Sequence, residues 1–550
     1  MSHGEAPSDF FIDLSKSQKI PQKAKVDLKG KDLEKFWLSN RFFMNRYLAG
    51  GEASYGNEVS NYLNTIKDHL LRDDPRLKEL IRIYVSSSPS VNAFANQLGI
   101  VVINVGLIAR AKTESEIAFI VAHEIAHVME NHGIETFSDQ KDLEKTRKYK
   151  RLWGLEKLDV LTSRSKKHEL EADRKGFALF KNSKYALDDV GHALNLLSTE
   201  FAPFEQMEIK PDFIPMLNIS IPTVHIMDEV EPLVFEENYF DAHSTHPNLK
   251  TRREEINKLM PANKNGVSFL QEEALFKEIR KQSRLEVIKQ EIENRSYGNA
   301  LYHSLVMMNI HGANKYYELA IGKTLLGLSA YKMIDEYDQV ARPYRTMRGE
   351  SQRIHYFIRQ LDKRQLAAIS LRYMYELSKK YPTDKKVKTM VNKLTMHVSA
   401  YGELTSGDFA ILKKKDWNVE FKLEDYKSER EKIRAEERYY KSYYHSLVQD
   451  QISTGWLDKK LDRFQKAKDS IRTLKYANLE DLEKEKSKAY KTFHKKGTGL
   501  NLKSMAIIGP FYKDEDSNDP KKTVLKSVEG QSQLTYSVID FLNSNNIAHF

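Results

Sequence analysis

Thr113-Glu114-Ser115-Glu116-Ile117-Ala118-Phe119-Ile120-Val121-Ala122-His123-Glu124-Ile125-Ala126-His127-Val128-Met129 begins with a threonine followed three residues later by a glutamate, the capping-box pattern of a helix N-terminus. From Ile117 onward the segment is apolar nearly all round except at His123, Glu124 and His127. Such a helix is buried, and buried ionisable side chains require a partner that offsets their desolvation. A spacing of four places both imidazoles on one face, a turn apart, where they can converge on one ion. Glu124 stands beside the first of them, where it can take a proton from water and return it to a leaving amine. Five letters alone also occur as a bland surface pair, so a second cluster is needed to decide.

That cluster is Glu169-Leu170-Glu171-Ala172-Asp173. Glu169 and Asp173 share a helical face, so Glu169 can close a His2Glu site for one Zn2+ per chain. Asp173 then reaches the far ring nitrogen of a ligand histidine and fixes its tautomer. Glu171 reads as an ordinary surface acid.

Working outward, residues 34–75 have helical apolar spacing interrupted at Gly50 and Gly51. Residues 81–85, 91–95 and 99–105 are short β-branched runs divided by turn-prone residues and predict a small sheet. The stretch 138–167 reads as charged and irregular, helices follow over 169–180 and 187–197, and six prolines between 202 and 247 predict loops that wrap a surface. From about 269 to 399 the pattern is helical throughout and resembles helical hairpins of the tetratricopeptide kind, although the consensus positions do not recur at the period of about 34 residues. The expected class is an α+β zincin-like catalytic domain, mostly helical with a small sheet. A mainly α-helical region and a short α/β tail follow it. The expected divisions are 1–264 for the catalytic domain, 265–410 for the helical hairpins, 411–495 for a charged helical arm and 496–550 for the tail.

The combination of His123-Glu124-Ile125-Ala126-His127 with Glu169 to Asp173, preceded by Asn92-Ala93-Phe94, resembles the M48 metallopeptidase family over roughly residues 35–260. The resemblance implies a gluzincin scaffold, endopeptidase activity on proteins, metal ligands at His123, His127 and Glu169, an aspartate at Asp173 and a further histidine at His132. It also implies a substrate-edge segment falling on Asn92, Ala93, Phe94, Gly99, Ile100 and Val101. Gln97-Leu98-Gly99 stands where the family usually has Pro-Gly-Gly, which puts the details of the groove in doubt. The family's exported members carry a His-Pro-x4-Arg element, which appears here from His246 to Arg252.

His246 is expected either to stabilise the developing oxyanion or to cap the zinc in a closed resting state, with His243 as its competitor. Residues 99–105 are expected to form an edge strand on which an unfolded or flexible polypeptide pairs as an added strand. The function expected is zinc-dependent endopeptidase activity, in envelope protein quality control. The alternative is an inactive or autoinhibited scaffold or chaperone-like binding protein. The exported resemblance points to a periplasmic or envelope-associated location, with the export signal or lipid anchor absent from this sequence. A protein partner on the helical region and self-association are further expectations.

Composition narrows the classes. The chain has 550 residues, 40% hydrophobic and 30% charged, and predicts several domains rather than wholesale disorder. The net charge of +10 is spread among mixed signs, so no nucleic-acid footprint is expected. The absence of cysteine excludes disulfides, thiolate metal sites and cysteine nucleophiles. No stretch approaches the ~20 consecutive apolar residues of a transmembrane helix.

Overall fold

The computed structural model describes residues 28–51, 53–145, 155–197, 202–233, 248–262, 264–410 and 428–464. The first part of the chain gives α1 (Gly30–Ala49), β1 (Ala53–Ser54), α2 (Glu58–Leu70), α3 (Pro75–Leu80), β2 (Arg82–Ser86), β3 (Ala93–Ala95) and β4 (Ile100–Asn104). The strands form one sheet in the order β1-β2-β4-β3. β2 and β4 are parallel, with Arg82 opposite Ile100 and Ser86 opposite Asn104, and β1 and β3 flank them antiparallel.

This order corrects the expectation that residues 99–105 form an edge. β4 is buried at every position and hydrogen-bonded on both sides, so Ile100 and Val101 offer no free backbone, and Gly99 lies in the turn before them. The continuous β-branched run is what a strand covered on both faces requires; an edge would show alternation. The edges of the sheet are β1 and β3, and β3 is the one next to β4. Gly99 has φ +79°, and a Cβ there would stand 2.6 Å from the carbonyl oxygen of Leu80, so only glycine makes this turn.

Strand alternation divides the core in two. Ile83, Val85, Val101 and Ile103 share one cluster with Ile117, Ala118 and Val121. Tyr84, Ile100 and Val102 point the other way, into a cluster with Phe36, Trp37 and Met44 of α1.

The chain continues through α4 (Val105–Arg110), α5 (Glu114–Met129), α6 (His132–Lys145), α7 (Leu155–Lys181), α8 (Asp189–Leu197) and α9 (Leu249–Asn257). At the start of α5 the Thr113 hydroxyl accepts from the Glu116 N–H at 3.2 Å, as the capping pattern requires. The Glu116 carboxylate reaches one residue further back than a capping box, accepting from the Lys112 N–H at 2.8 Å. Glu114 is fully buried and accepts hydrogen bonds from the hydroxyls of Tyr62 and Tyr185, which anchors α5 between α2 and the segment after α7. Burial, reinforced by that carboxylate, holds both phenols well above their usual pKa. The expectation of an irregular stretch over 138–167 is corrected, because α6 runs to Lys145 and α7 starts at Leu155. Over 138–145 and 155–167 polar and charged residues outnumber apolar ones, so the buried face by which helices are recognised in sequence is weakly marked.

The remaining helices are α10 (Glu273–Glu293), α11 (Tyr297–His311), α12 (Lys315–Met333), α13 (Ser351–Gln360), α14 (Lys363–Lys380), α15 (Lys385–Met396), α16 (Glu429–Ser446) and α17 (Gln449–Ser453). No tetratricopeptide-type repeat or solenoid is found among the described residues of this region. Residues on the two sides of the boundary expected at 264/265 contact one another. Buried Arg284 of α10 donates to the Ala109 carbonyl at 2.9 Å and to Glu205 at 2.6 Å, with its guanidinium over the Phe204 ring. The described part of the expected charged arm is packed as well: Tyr444 of α16 is fully buried and pairs through its hydroxyl with His225 Nδ1 at 2.7 Å. One compact unit extends to Leu461. The expected α/β tail at 496–550 lies outside the described residues.

Candidate metal centre

The site is made where α5 crosses α7. The crossing is as close as backbones allow at Gly176, where a Cβ would lie 2.8 Å from the Cα of His123 and 2.9 Å from its nitrogen. That approach brings Glu169 and Asp173, on preceding turns of α7, against the two histidines of α5.

His123 Nδ1 donates to Asp173 Oδ1 at 2.9 Å, which leaves Nε2 to face inward. His127 Nε2 lies 3.1 Å from His123 Nε2, and the Glu169 oxygens stand 3.5 Å from the former's neighbour His123 and 3.4 Å from His127. One nitrogen from each imidazole and one carboxylate oxygen, all within 4.8 Å of one another, make a cluster capable of coordinating a metal ion. The donor chemistry fits a divalent cation: two ring nitrogens and one anionic oxygen converge on a point.

The charges behind the cluster are held in turn. Arg252 of α9 donates from Nε to Asp173 Oδ2 at 2.8 Å and from Nη2 to Asp173 Oδ1 at 2.7 Å, a two-pronged contact between a fully buried carboxylate and a guanidinium only 4% exposed. Burial alone would raise Asp173, but Arg252 and His123 hold it far below the usual carboxylate range. In the metal-free cluster burial pushes His123 down while its bonds to Asp173 and Glu169 outweigh this and lift it to about 10. His127 is lowered to about 3, by burial first and by its charged neighbour His123 second. Arg252 was present in the sequence only as the last letter of the His-Pro-x4-Arg element. Its partner lies 79 residues away, and nothing in the spacing indicates the pairing.

Glu124, one residue beyond His123, is buried at 8% exposure, and its charge acts on Arg252 together with that of Glu169. His132 places Nδ1 2.9 Å from His127 Nδ1 and stacks on His168 with 4.5 Å between ring centroids. Burial and the neighbouring His168 lower its pKa to about 4, so it stands as a neutral ring behind the second histidine. Gln97, the departure from the expected turn, donates to the Val128 carbonyl at 3.1 Å and to Asn131 at 3.0 Å, fastening the β3–β4 turn to the end of α5. Asn92, Ala93 and Phe94 lie at the start of the edge strand β3. His243 and His246 lie outside the described residues.

A profile of Peptidase family M48 matches residues 60–260. The β-barrel assembly-enhancing protease of Yersinia pestis is 28% identical over 102 residues, which are 18% of this chain and 21% of that protein. The putative β-barrel assembly-enhancing protease of Vibrio cholerae serotype O1 is 30% identical over 82 residues, 15% of this chain and 17% of its own length. The chain thus spans about a fifth of the length of these curated relatives. Among the described residues, no helix is long and apolar enough to cross a membrane.

Proposed function

We propose that residues 60–260, matched to a peptidase family, work as a zinc-dependent endopeptidase on unfolded or flexible polypeptide. The observation that carries the reading is the convergence of His123, His127 and Glu169, with a buried Glu124 next to the first of them in the chain. Zinc, when bound there, supplies Lewis acidity at the scissile carbonyl and favours ionisation of water.

The chain's own residues do the rest. Asp173 orients His123 through its Nδ1–H, and Arg252 keeps Asp173 ionised so that it remains an acceptor. Glu124 takes the proton of the attacking water and passes it to the leaving nitrogen as the C–N bond breaks. The free edge of β3 holds the polypeptide extended beside α5. The likeness to proteases named for enhancing β-barrel assembly supports work at a bacterial envelope, with incompletely folded envelope proteins as substrates.

Asp173 and Glu169 favour the protonated form of His123, and a metal ligand must be deprotonated, so metal binding at this site is coupled to proton release. Removal of metal with a chelator is expected to stop degradation of unfolded casein and added zinc to restore it. The apparent zinc affinity should rise with pH above neutrality. Degradation that persists after metal removal would contradict the reading, and a pH-independent affinity would contradict the coupling to proton release.

A further inference from the structure

The register of β3 fixes what a peptide on its edge would touch. Asn92 accepts from the Asn104 N–H at 3.1 Å and the Asn96 N–H donates to Ile100 at 2.9 Å. Two residues from each, Phe94 shares their parity and turns its own N–H and C=O toward Val102, its partner on β4. The backbone groups of Ala93 and Ala95 therefore point away from the sheet, where an added strand would pair once it displaced the Asn92 side chain, whose Oδ1 accepts from the Ala93 N–H at 2.9 Å.

Side chains on adjacent strands keep to the same face when they stand opposite each other. Ala93 and Ala95 pack toward the cluster that contains α5, so side chains opposite them would turn toward that helix, where small ones clash least. Phe94 packs on the opposite cluster, where its ring meets Tyr47 edge-on with 5.5 Å between centroids. Phe43, one helical turn before Tyr47 on α1, stacks on it at 6.3 Å and contacts Phe94 at 6.4 Å, yet remains 54% exposed. An apolar aromatic shelf thus borders the β3 edge, made by Phe94 together with two residues of a helix that precedes the family-matched residues.

We propose that Phe43, Tyr47 and Phe94 form a subsite for a large apolar side chain of the polypeptide, at the position that pairs opposite Phe94, with small side chains accommodated on either side of it. The inference rests on the peptidase reading for its cleavage consequence and on the sheet register for its binding consequence. Selection is therefore not by main chain alone: stretches with an aromatic or large aliphatic residue between small ones, typical of unfolded core strands, are preferred.

The test uses fluorescent peptides of about ten residues, identical except for one Phe, Leu, Ser or Asp flanked by alanines. Binding is measured to the full Glu124→Gln chain and cleavage by the parent. The Phe and Leu peptides are expected to bind about tenfold more tightly than the Ser peptide and to show the same order in kcat/KM. Phe43→Ser should remove most of that preference, whereas Leu38→Ser, also about half exposed on α1 but on another face, should leave it intact. Binding preference without cleavage by the parent would refute the peptidase reading and uphold the subsite. Cleavage without preference, or a preference unchanged in Phe43→Ser, would overturn the subsite and leave the peptidase standing. Loss of a dimer in Phe43→Ser with unchanged peptide preference would assign the shelf to self-association and also overturn it.

Discussion

Replacing Glu124 by glutamine is expected to slow hydrolysis of unfolded casein about 10³-fold while leaving zinc content at the parental value. The two outcomes are separable because Glu124 is not among the converging ligand atoms. Glutamine preserves size and some hydrogen bonding but cannot accept the proton that water must lose. Its cost is therefore paid almost wholly in the transition state, and kcat should fall far more than KM changes. Initial rates over a range of casein concentration, with zinc measured on the same preparation, check both halves. A variant that retains more than about a tenth of the parental rate would show that another group removes the proton.

Arg252→Leu is expected to lower stability by about 3–5 kcal/mol, because it strips both guanidinium bonds from a carboxylate that has no access to water. Zinc affinity should fall by about 10–100-fold at the same time, since Asp173 orients His123. The pH dependence follows from the direction of the Asp173 shift. Its pKa is depressed in the folded state, so its contribution to stability is present above the unfolded carboxylate pKa of about 3.9 and disappears as the pH falls through the folded value. The parent should therefore exceed Arg252→Leu most at neutral pH, and the difference should shrink in acid. Urea unfolding at pH 7 and pH 3 measures this; equal midpoints for the two proteins at pH 7 would refute the buried pair as a support of the site. Arg252→Lys should recover only part of the loss, because an ammonium cannot reproduce the two-pronged contact.

The α5 helix and the acidic cluster of α7 are legible from spacing, since helical period alone decides which side chains share a face. The contact of Asp173 with His123 follows from the same geometry once the helices cross. What permits the crossing is Gly176, and a glycine inside a helix does not announce which backbone it admits. The sheet was visible as three short apolar runs, but its strand order was not: a run that is apolar at every position marks a centre strand, and β4 could be read as an edge only by ignoring the lack of alternation. The end of α6 and the first half of α7 read as irregular because polar and charged residues outnumber apolar ones there. The pairing of Arg252 with Asp173, and the packing of α10 and α16 on the earlier part of the chain, depend on tertiary contacts between distant segments, for which local pattern carries no signal.

The most direct measurement of the central claim is the zinc content of the purified chain beside that of His127→Ala and Glu169→Ala, with casein degradation followed on each. About one zinc per chain in the parent, most of it lost together with degradation in either variant, is the predicted result. A parent without zinc after exposure to it, or variants that keep both metal and activity, would contradict a metal centre at His123, His127 and Glu169.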